Sequence, residues 1–211
     1  MTEQQIPKLA RVIVEHQHHF GALPNEDAQW AILNTATAIG LWVEAIKNRT
    51  KTTITKLLEF VTPVKITAVK KFVASDHFKA GQTVDGVNYY SSFGDNFNAH
   101  FLPKVEENIQ ATDLRVHKLL RNSKDLGIRA EIGEDKEETN LAHLHQCLKR
   151  QGNGEEGTLL TNRYANIFYV RDTNGNLWAV YAHWYGDGWH LGAGSVEYSY
   201  GWSAGRQVFS R

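Results

Sequence analysis

Apolar and polar positions alternate with a period of two through most of residues 164–209, as expected for β-strands. The pattern predicts four strands: 165–171, 177–185, 188–196 and 206–210. Asn174-Gly175 and Gly186-Asp187 separate the first three strands, and both pairs favour tight hairpin turns because they accept positive φ. We therefore predict an antiparallel sheet over residues 164–209, a stretch that contains 12 of the 23 aromatic residues of the chain.

A two-residue turn at Gly186-Asp187 sets the register of the second hairpin. Tyr185 then pairs with Gly188, and Trp184 lies opposite Trp189. A shift by one residue would move the apolar side chains off their common face. One face of this hairpin is apolar and is the predicted core. The other carries aromatic and imidazole rings, here called the Tyr/His face: Tyr181, His183, Tyr185 and His190.

The strand over 165–171 is apolar on both faces, and its register depends on whether the Asn174-Gly175 loop has two or three residues. Upstream, apolar and polar residues also alternate over 114–117 and 126–132, on either side of a polar turn at 122–125. This pattern predicts a second hairpin with one solvent-exposed face.

Helical periodicity is clearest over residues 25–48, where Asn25 is a favourable N-cap and the apolar stripe is broad. Residues 7–20 fit a helix or a strand, and we favour a helix. The pattern also predicts a helix over 52–61, extended chain at 64–67 and a short helix at 141–148 that Gly152 ends. A further helix starts near Asp95, buries Phe97 and Phe101, and is kinked or ended by Pro103.

These elements predict an α+β fold, with N-terminal helices packed on a mainly antiparallel, aromatic-rich sheet. We divide the chain into a helical region, 1–50, and an α+β region, 51–211, within one continuous globular domain. A length of 211 residues with 42% apolar content suits this size. The formal net charge of +0 argues against nucleic acid, although residues 47–79 are locally basic.

Cysteine usage and the N-terminus indicate the compartment. Cys147 is the only cysteine, which excludes an intramolecular disulfide. The first five residues lack the pattern of a signal peptide, and no apolar run is long enough to span a membrane. We expect a soluble, cytoplasmic protein without membrane contact.

The Tyr/His face is the candidate ligand-binding surface. His183 and His190 are opposed across the hairpin, and Asp187 lies in the linking turn, so these three residues are the weak candidates for a metal site. Two exposed histidines beside tyrosine rings explain the pattern more simply. We therefore predict no metal and no cofactor, and the catalytic residues, if there are any, stay unknown.

Two other clusters carry potential chemistry. Glu15, with histidines at 16, 18 and 19, lacks the metalloprotease spacing and reads as a solvated helix end. His143 and Cys147 are four residues apart, which permits a nucleophile pair on one helical face. A buried structural cysteine is the simpler interpretation. The glycine-rich stretch 152–157 contains two glutamates that would repel a phosphate, so we read it as a loop.

The C-terminal sequence carries a weak resemblance. The run Ala165-Asn166-Ile167-Phe168-Tyr169-Val170-Arg171-Asp172, the pair Gly188-Trp189 and the ending Ala204-Gly205-Arg206-Gln207-Val208-Phe209-Ser210-Arg211 are similar to short hypothetical proteins of bacteria and phages. The resemblance covers about the last quarter of the chain. That group has no assigned activity, so the resemblance implies neither a function nor site residues.

Three functions fit these observations. The leading hypothesis is a non-enzymatic binding or interaction protein that uses the Tyr/His face for a small molecule or a protein partner. The alternatives are a metal- or histidine-dependent hydrolase built on His183, His190 and Asp187, and a structural or assembly protein whose sheet forms a homo-oligomer interface.

Overall fold

The computed structural model describes Leu33, Asn34 and Thr37 and residues 56–197 and 201–211. The chain divides into two compact units, Met1–Thr55 and Lys56–Arg211, and the second holds nearly all the described residues. The predicted helix over 7–20, most of the predicted helix over 25–48 and the cluster from Glu15 to His19 lie outside the described residues. The packing of N-terminal helices on the sheet, and the division at residue 50, stay predictions.

A six-stranded sheet forms the centre of the second unit, in the order β1-β6-β10-β7-β8-β9. Its strands are β1 (Leu58–Ile66), β6 (Thr112–Leu119), β7 (Asn166–Arg171), β8 (Leu177–Trp184), β9 (Trp189–Ser195) and β10 (Gln207–Ser210). Two small antiparallel pairs accompany it: β2 (Val69–Val73) with β5 (Val105–Ile109), and β3 (Thr83–Val84) with β4 (Val87–Asn88).

The helices of this unit are short and lie in the middle of the chain. They are α1 (Ala74–His77), α2 (Asp95–His100), α3 (Asp125–Ile132), α4 (Glu134–Glu137) and α5 (Leu141–Lys149). The predicted helices near Asp95 and over 141–148 are confirmed as α2 and α5. Phe97 and Phe101 are fully buried, as predicted. No helix in the described ranges has the length and hydropathy needed to cross a membrane.

The predicted register of the β8–β9 hairpin is confirmed. Trp184 pairs with Trp189 and His183 pairs with His190. The turn closes through the Tyr185 N–H, which donates to the Gly188 carbonyl at 3.1 Å. The predicted apolar face packs into the main core, where Trp189 is fully buried.

The C-terminal sheet departs from the prediction in one pairing, because it is not wholly antiparallel. β10 lies between β6 and β7, antiparallel to β6 and parallel to β7. The parallel pairing is possible because more than 30 residues separate the two strands in sequence, so no tight turn has to join them. The sheet is therefore mainly antiparallel.

The loop between β7 and β8 follows the three-residue alternative: Arg171 pairs with Leu177, and the Asp172 N–H donates to the Asn176 carbonyl at 2.8 Å, so residues 173–175 form the turn. Asp172 organises it. Its Oδ1 accepts the N–H groups of Asn174 and Asn176, at 2.8 and 2.9 Å. Its Oδ2 accepts the indole N–H of Trp178 at 3.1 Å. These side-chain hydrogen bonds stabilise the turn in addition to its backbone hydrogen bonds, among them the one from the Gly175 N–H to the Asp172 carbonyl at 3.2 Å.

The predicted hairpin over 114–132 is wrong in its second half, because residues 125–132 form helix α3. The alternation required Leu126 and Ala130 to face the core, yet both are exposed, Leu126 by 68%. Ile128 is fully buried and Ile132 is half-buried, and this spacing of four residues is helical. Gly133 ends the helix at a φ of 93°, which is accessible to glycine.

The predicted helix over 52–61 is also wrong where the structure describes it, because β1 begins at Leu58. Leu58 pairs with Leu119 of β6, so strand pairing replaces the local helical preference. The extended chain predicted at 64–67 is confirmed through Ile66.

Both faces of the six-stranded sheet are covered by apolar side chains. On one face, Phe168 and Val170 of β7 pack into the main core with residues of α2 and α5. On the other, Ile167 and Tyr169 pack with Ile128 of α3. The two-sided apolar character predicted for the first C-terminal strand is therefore confirmed, and it explains the central position of β7.

Candidate functional site

The Tyr/His face forms a continuous row of rings along β8 and β9. The Tyr181 and His183 ring centroids are 5.1 Å apart, His183 and Tyr185 stack at 5.9 Å, and Tyr185 and His190 lie at 5.4 Å. The opposed imidazoles of His183 and His190 are 6.5 Å apart. Tyr185 is 39% exposed, and the other three side chains are partly buried.

Two groups from outside the hairpin contact this row. The Tyr90 ring lies 5.2 Å from the Tyr185 ring and 6.1 Å from the His190 ring, so Tyr90, Tyr185 and His190 form one small cluster of rings. The Arg163 carbonyl lies 3.0 Å from Nδ1 of His183. Since a carbonyl only accepts, Nδ1 carries the proton and Nε2 is the acceptor of the neutral ring. Burial lowers the pKa of both His183 and His190, which favours neutral imidazoles.

A pocket of about 700 Å³ opens beside the Tyr181 end of the row. Tyr181 and Trp202 form its aromatic walls, and Trp178 reaches its edge from the opposite face of β8, where Trp178 packs against the main core. The remaining lining residues are polar or small: Asn96, Asp125, His183, Ala193, Gly194, Ser195, Gly201 and Arg206. Two residues of the predicted surface, Tyr181 and His183, therefore line the pocket, whereas Tyr185 and His190 do not.

Gly192 makes room for one aromatic wall. It pairs with Tyr181 across the hairpin, and a Cβ at Gly192 would overlap the Tyr181 ring. The ring therefore lies over the bare glycine backbone. Trp202 meets this ring at 5.6 Å with an interplanar angle of 72°. The two rings form a corner instead of two parallel walls.

Asp125 links the pocket to the apolar cluster that contains Tyr169 on the α3 side of the sheet. It is 3% exposed, and its Oδ1 accepts the Tyr169 hydroxyl at 2.8 Å and the Trp202 indole N–H at 2.7 Å. Burial raises the pKa of this carboxyl, while the two donated hydrogen bonds oppose the shift. Asp125 therefore fixes the orientation of the Trp202 wall.

Arg206 supplies the positive charge of the pocket. Its guanidinium lies 5.7 Å from the Trp202 ring centroid and 5.6 Å from that of Tyr164. One amino group donates to the Ser203 carbonyl at 3.3 Å. Its Nε is buried and has no hydrogen-bond partner among the described residues. A buried donor without a partner costs folding free energy, and a hydrogen bond from this atom to a ligand or to a water molecule would remove that cost.

Within the described part of the chain, one group of three potential metal ligands occurs, and it consists of His77, Asp85 and His145. It shares no residue with the predicted candidates His183, His190 and Asp187. The predicted pair of His143 and Cys147 lies on α5, where Cys147 is buried. Burial raises the pKa of this thiol to about 12, which opposes the thiolate that a nucleophile requires.

Comparisons with protein-family models, with curated proteins and with solved structures found no match for this chain.

Sequence reasoning found two of the eleven residues that line the pocket. Tyr181 and His183 emerge from the hairpin register, because two-residue turns have predictable geometry. Trp202 and Arg206 were missed, because they belong to the irregular segment before β10, which the strand order brings close to Tyr181. Trp178 lies in a predicted strand but was not assigned to the site. One feature of the sequence could have pointed to the metal-ligand group. The segment Val84-Asp85-Gly86-Val87 has the Asp-Gly pattern of a tight hairpin, which places Asp85 in a turn.

Proposed function

We propose that this protein is a non-enzymatic binding protein for a small, uncharged, polyhydroxylated molecule of sugar type. The observation that carries the proposal is the pocket of about 700 Å³ with an aromatic corner formed by Tyr181 and Trp202. Aromatic rings pack well against the C–H faces of a sugar ring, while polar groups at the rim bind its hydroxyls.

The charges of the pocket favour a neutral ligand. Asp125 contributes an acceptor and Arg206 contributes donors, so their formal charges cancel. His183 is neutral because burial lowers its pKa. Hydroxyl groups donate and accept, and they match such a mixed set better than a carboxylate or an amine does.

The shape of the pocket favours a sugar over a flat base. A nucleobase is best held between two parallel rings, because stacking uses both of its faces. Tyr181 and Trp202 meet at 72° and form a corner. A corner accommodates the thickness of a puckered ring and leaves its hydroxyls free to reach Asp125 and Arg206.

Binding without hydrolysis is supported by the carboxylate content of the pocket. Glycoside hydrolysis commonly requires two carboxyl groups on either side of the bond that breaks. Among the described lining residues, Asp125 is the one carboxylate. One of its oxygens already accepts hydrogen bonds from Tyr169 and Trp202, so this acid holds a wall of the pocket.

The test is a calorimetric titration with glucose, galactose, mannose, maltose and cellobiose, repeated on pocket variants. Gly194→Leu places a side chain in the pocket, where a Cβ at Gly194 meets no atom within 4 Å. We expect this variant and Tyr181→Ala to weaken saccharide binding at least ~10-fold, through lost space and lost ring contact.

Tyr185→Ala and His190→Ala are matched controls, because both residues lie on the same sheet face outside the pocket. They are expected to bind the saccharide as the wild type does. If no saccharide binds, or if Gly194→Leu leaves binding unchanged, the proposal is wrong. Adenosine binding that Gly194→Leu abolishes, without any saccharide binding, would also reject the sugar class.

A further inference from the structure

Three separate segments bring His77, Asp85 and His145 together. His77 is the last residue of α1, Asp85 lies in the turn between β3 and β4, and His145 is in the middle of α5. None of these residues lines the aromatic pocket. The group is therefore independent of the proposed saccharide site.

The turn that carries Asp85 has a defined conformation. Asp85 and Gly86 have φ angles of 52° and 80°, so both central residues have the positive φ of a type I′ hairpin turn. Asn88 N–H donates to the Gly152 carbonyl at 2.9 Å. A Cβ at Gly152 would overlap the Gly86 carbonyl, so the turn packs directly against the chain that follows α5.

Aromatic packing holds the two imidazoles. The His77 ring stacks on Phe72 at 4.5 Å with an interplanar angle of 8°. The His145 ring contacts Phe72 at 5.4 Å and Phe78 at 5.8 Å. The imidazoles are themselves 4.5 Å apart. Rings held in this way lose little conformational freedom when they bind an ion, which favours affinity.

The distances between donor atoms suit a tetrahedral ion. Asp85 Oδ2 lies 2.7 Å from His77 Nδ1, a hydrogen bond that a bound ion would replace, and 3.3 Å from His145 Nε2. All three donor atoms lie within 4.8 Å of one another. Zinc bonds of about 2.0–2.1 Å at tetrahedral angles separate two ligand atoms by about 3.3 Å. Small adjustments of the side chains would therefore bring the three donors around one ion.

His145 has a ring nitrogen that is free to coordinate an ion. Its Nε2 is buried and makes no hydrogen bond, although it lies 3.3 Å from Asp85 Oδ2, because the geometry of that contact is not that of a hydrogen bond. The side chain is 6% exposed. The hydroxyl of Tyr89 is a second buried group without a hydrogen-bond partner in the described residues.

We propose that His77, Asp85 and His145 bind a divalent first-row transition-metal ion, and that zinc is the best match. Two imidazoles and one carboxylate are a common ligand set for zinc. The side chains of His77 and Asp85 are 31% and 36% exposed, so the site faces solvent and has room for water as a fourth ligand. Lys149 is the nearby positive charge, and its effect is weakened by solvent because it is exposed.

The test uses full-length protein freed of metal with a chelator and titrated with Zn²⁺ and with Co²⁺. We expect one ion per chain, visible Co²⁺ absorption typical of tetrahedral coordination, and a higher Tm with zinc. Asp85→Asn is expected to weaken zinc binding at least ~100-fold, because even partners that only orient ligands contribute 10–100-fold. Asparagine tolerates positive φ, so the turn survives this change.

His77→Ala is a second variant, at a partly exposed helix end, and should weaken binding similarly while far-UV circular dichroism stays unchanged. His100→Ala is the matched control, because His100 is 33% exposed and lies 3.7 Å from Asp172 without a second histidine. It should bind zinc normally. The proposal is overturned if wild-type protein does not bind zinc, if Asp85→Asn binds as tightly as wild type, or if only His183→Ala and His190→Ala abolish binding.

Discussion

Acidification from about pH 7 to pH 4 is expected to reduce the free energy of unfolding by about 3 kcal/mol through His143 alone. Burial, together with the charge of Arg211, lowers the pKa of this imidazole from 6.5 to about 4. The unfolded chain therefore takes up a proton that the folded protein excludes. The contribution is complete above pH 6.5 and is lost as the pH falls towards 4.

The structure supplies a second reason for the neutral form of His143. Its Nδ1 accepts the Asn140 N–H at 3.2 Å at the start of α5, so protonation at Nδ1 would break this contact. His117, His183 and His190 also have lowered pKa values, mainly through burial, and contribute with the same sign.

Urea denaturation at several pH values, with chelator present, measures this effect. His143→Gln removes the titrating group, and glutamine at this third helical position can still accept the Asn140 N–H. The variant should lose about 3 kcal/mol less stability than wild type over the same pH range. Equal losses in the two proteins would show that His143 is not the group responsible.

Replacing Glu106 by alanine is expected to lower the free energy of unfolding by about 3–5 kcal/mol. Glu106 is 5% exposed, and its two oxygens accept the N–H groups of Leu141 and Ala142, each at 2.9 Å. Lys104 lies 3.1 Å from the same carboxylate. The change leaves two buried donors at the start of α5 without an acceptor and removes the partner of Lys104.

Glu107→Ala is the matched control for Glu106→Ala. Glu107 is the next residue of β5 and is exposed, so we expect a change within ~0.5 kcal/mol. Chemical denaturation of both variants at neutral pH gives the comparison. A loss below ~1 kcal/mol for Glu106→Ala would mean that water replaces the carboxylate at this helix end.

Local chemistry predicted those parts of the fold in which neighbours in space are also neighbours in sequence. The β8–β9 register followed from Gly186 and Asp187, because a tight turn fixes which residues pair. α2 and α5 followed from apolar spacing, and α2 also from Pro103. The same reasoning failed at residues 125–132, where short apolar spacing fits both a strand and a helix, and the burial of Ile128 decides between them.

The candidate sites divide in the same way. The sequence by itself determined the row of Tyr181, His183, Tyr185 and His190, because alternation along paired strands assigns side chains to faces. Only the tertiary structure brought Trp202 and Arg206 to Tyr181, or His77 and Asp85 to His145. These contacts join segments that are far apart in sequence. They arise because loops and short helices pack against the sheet, and that packing has no short-range sequence signal.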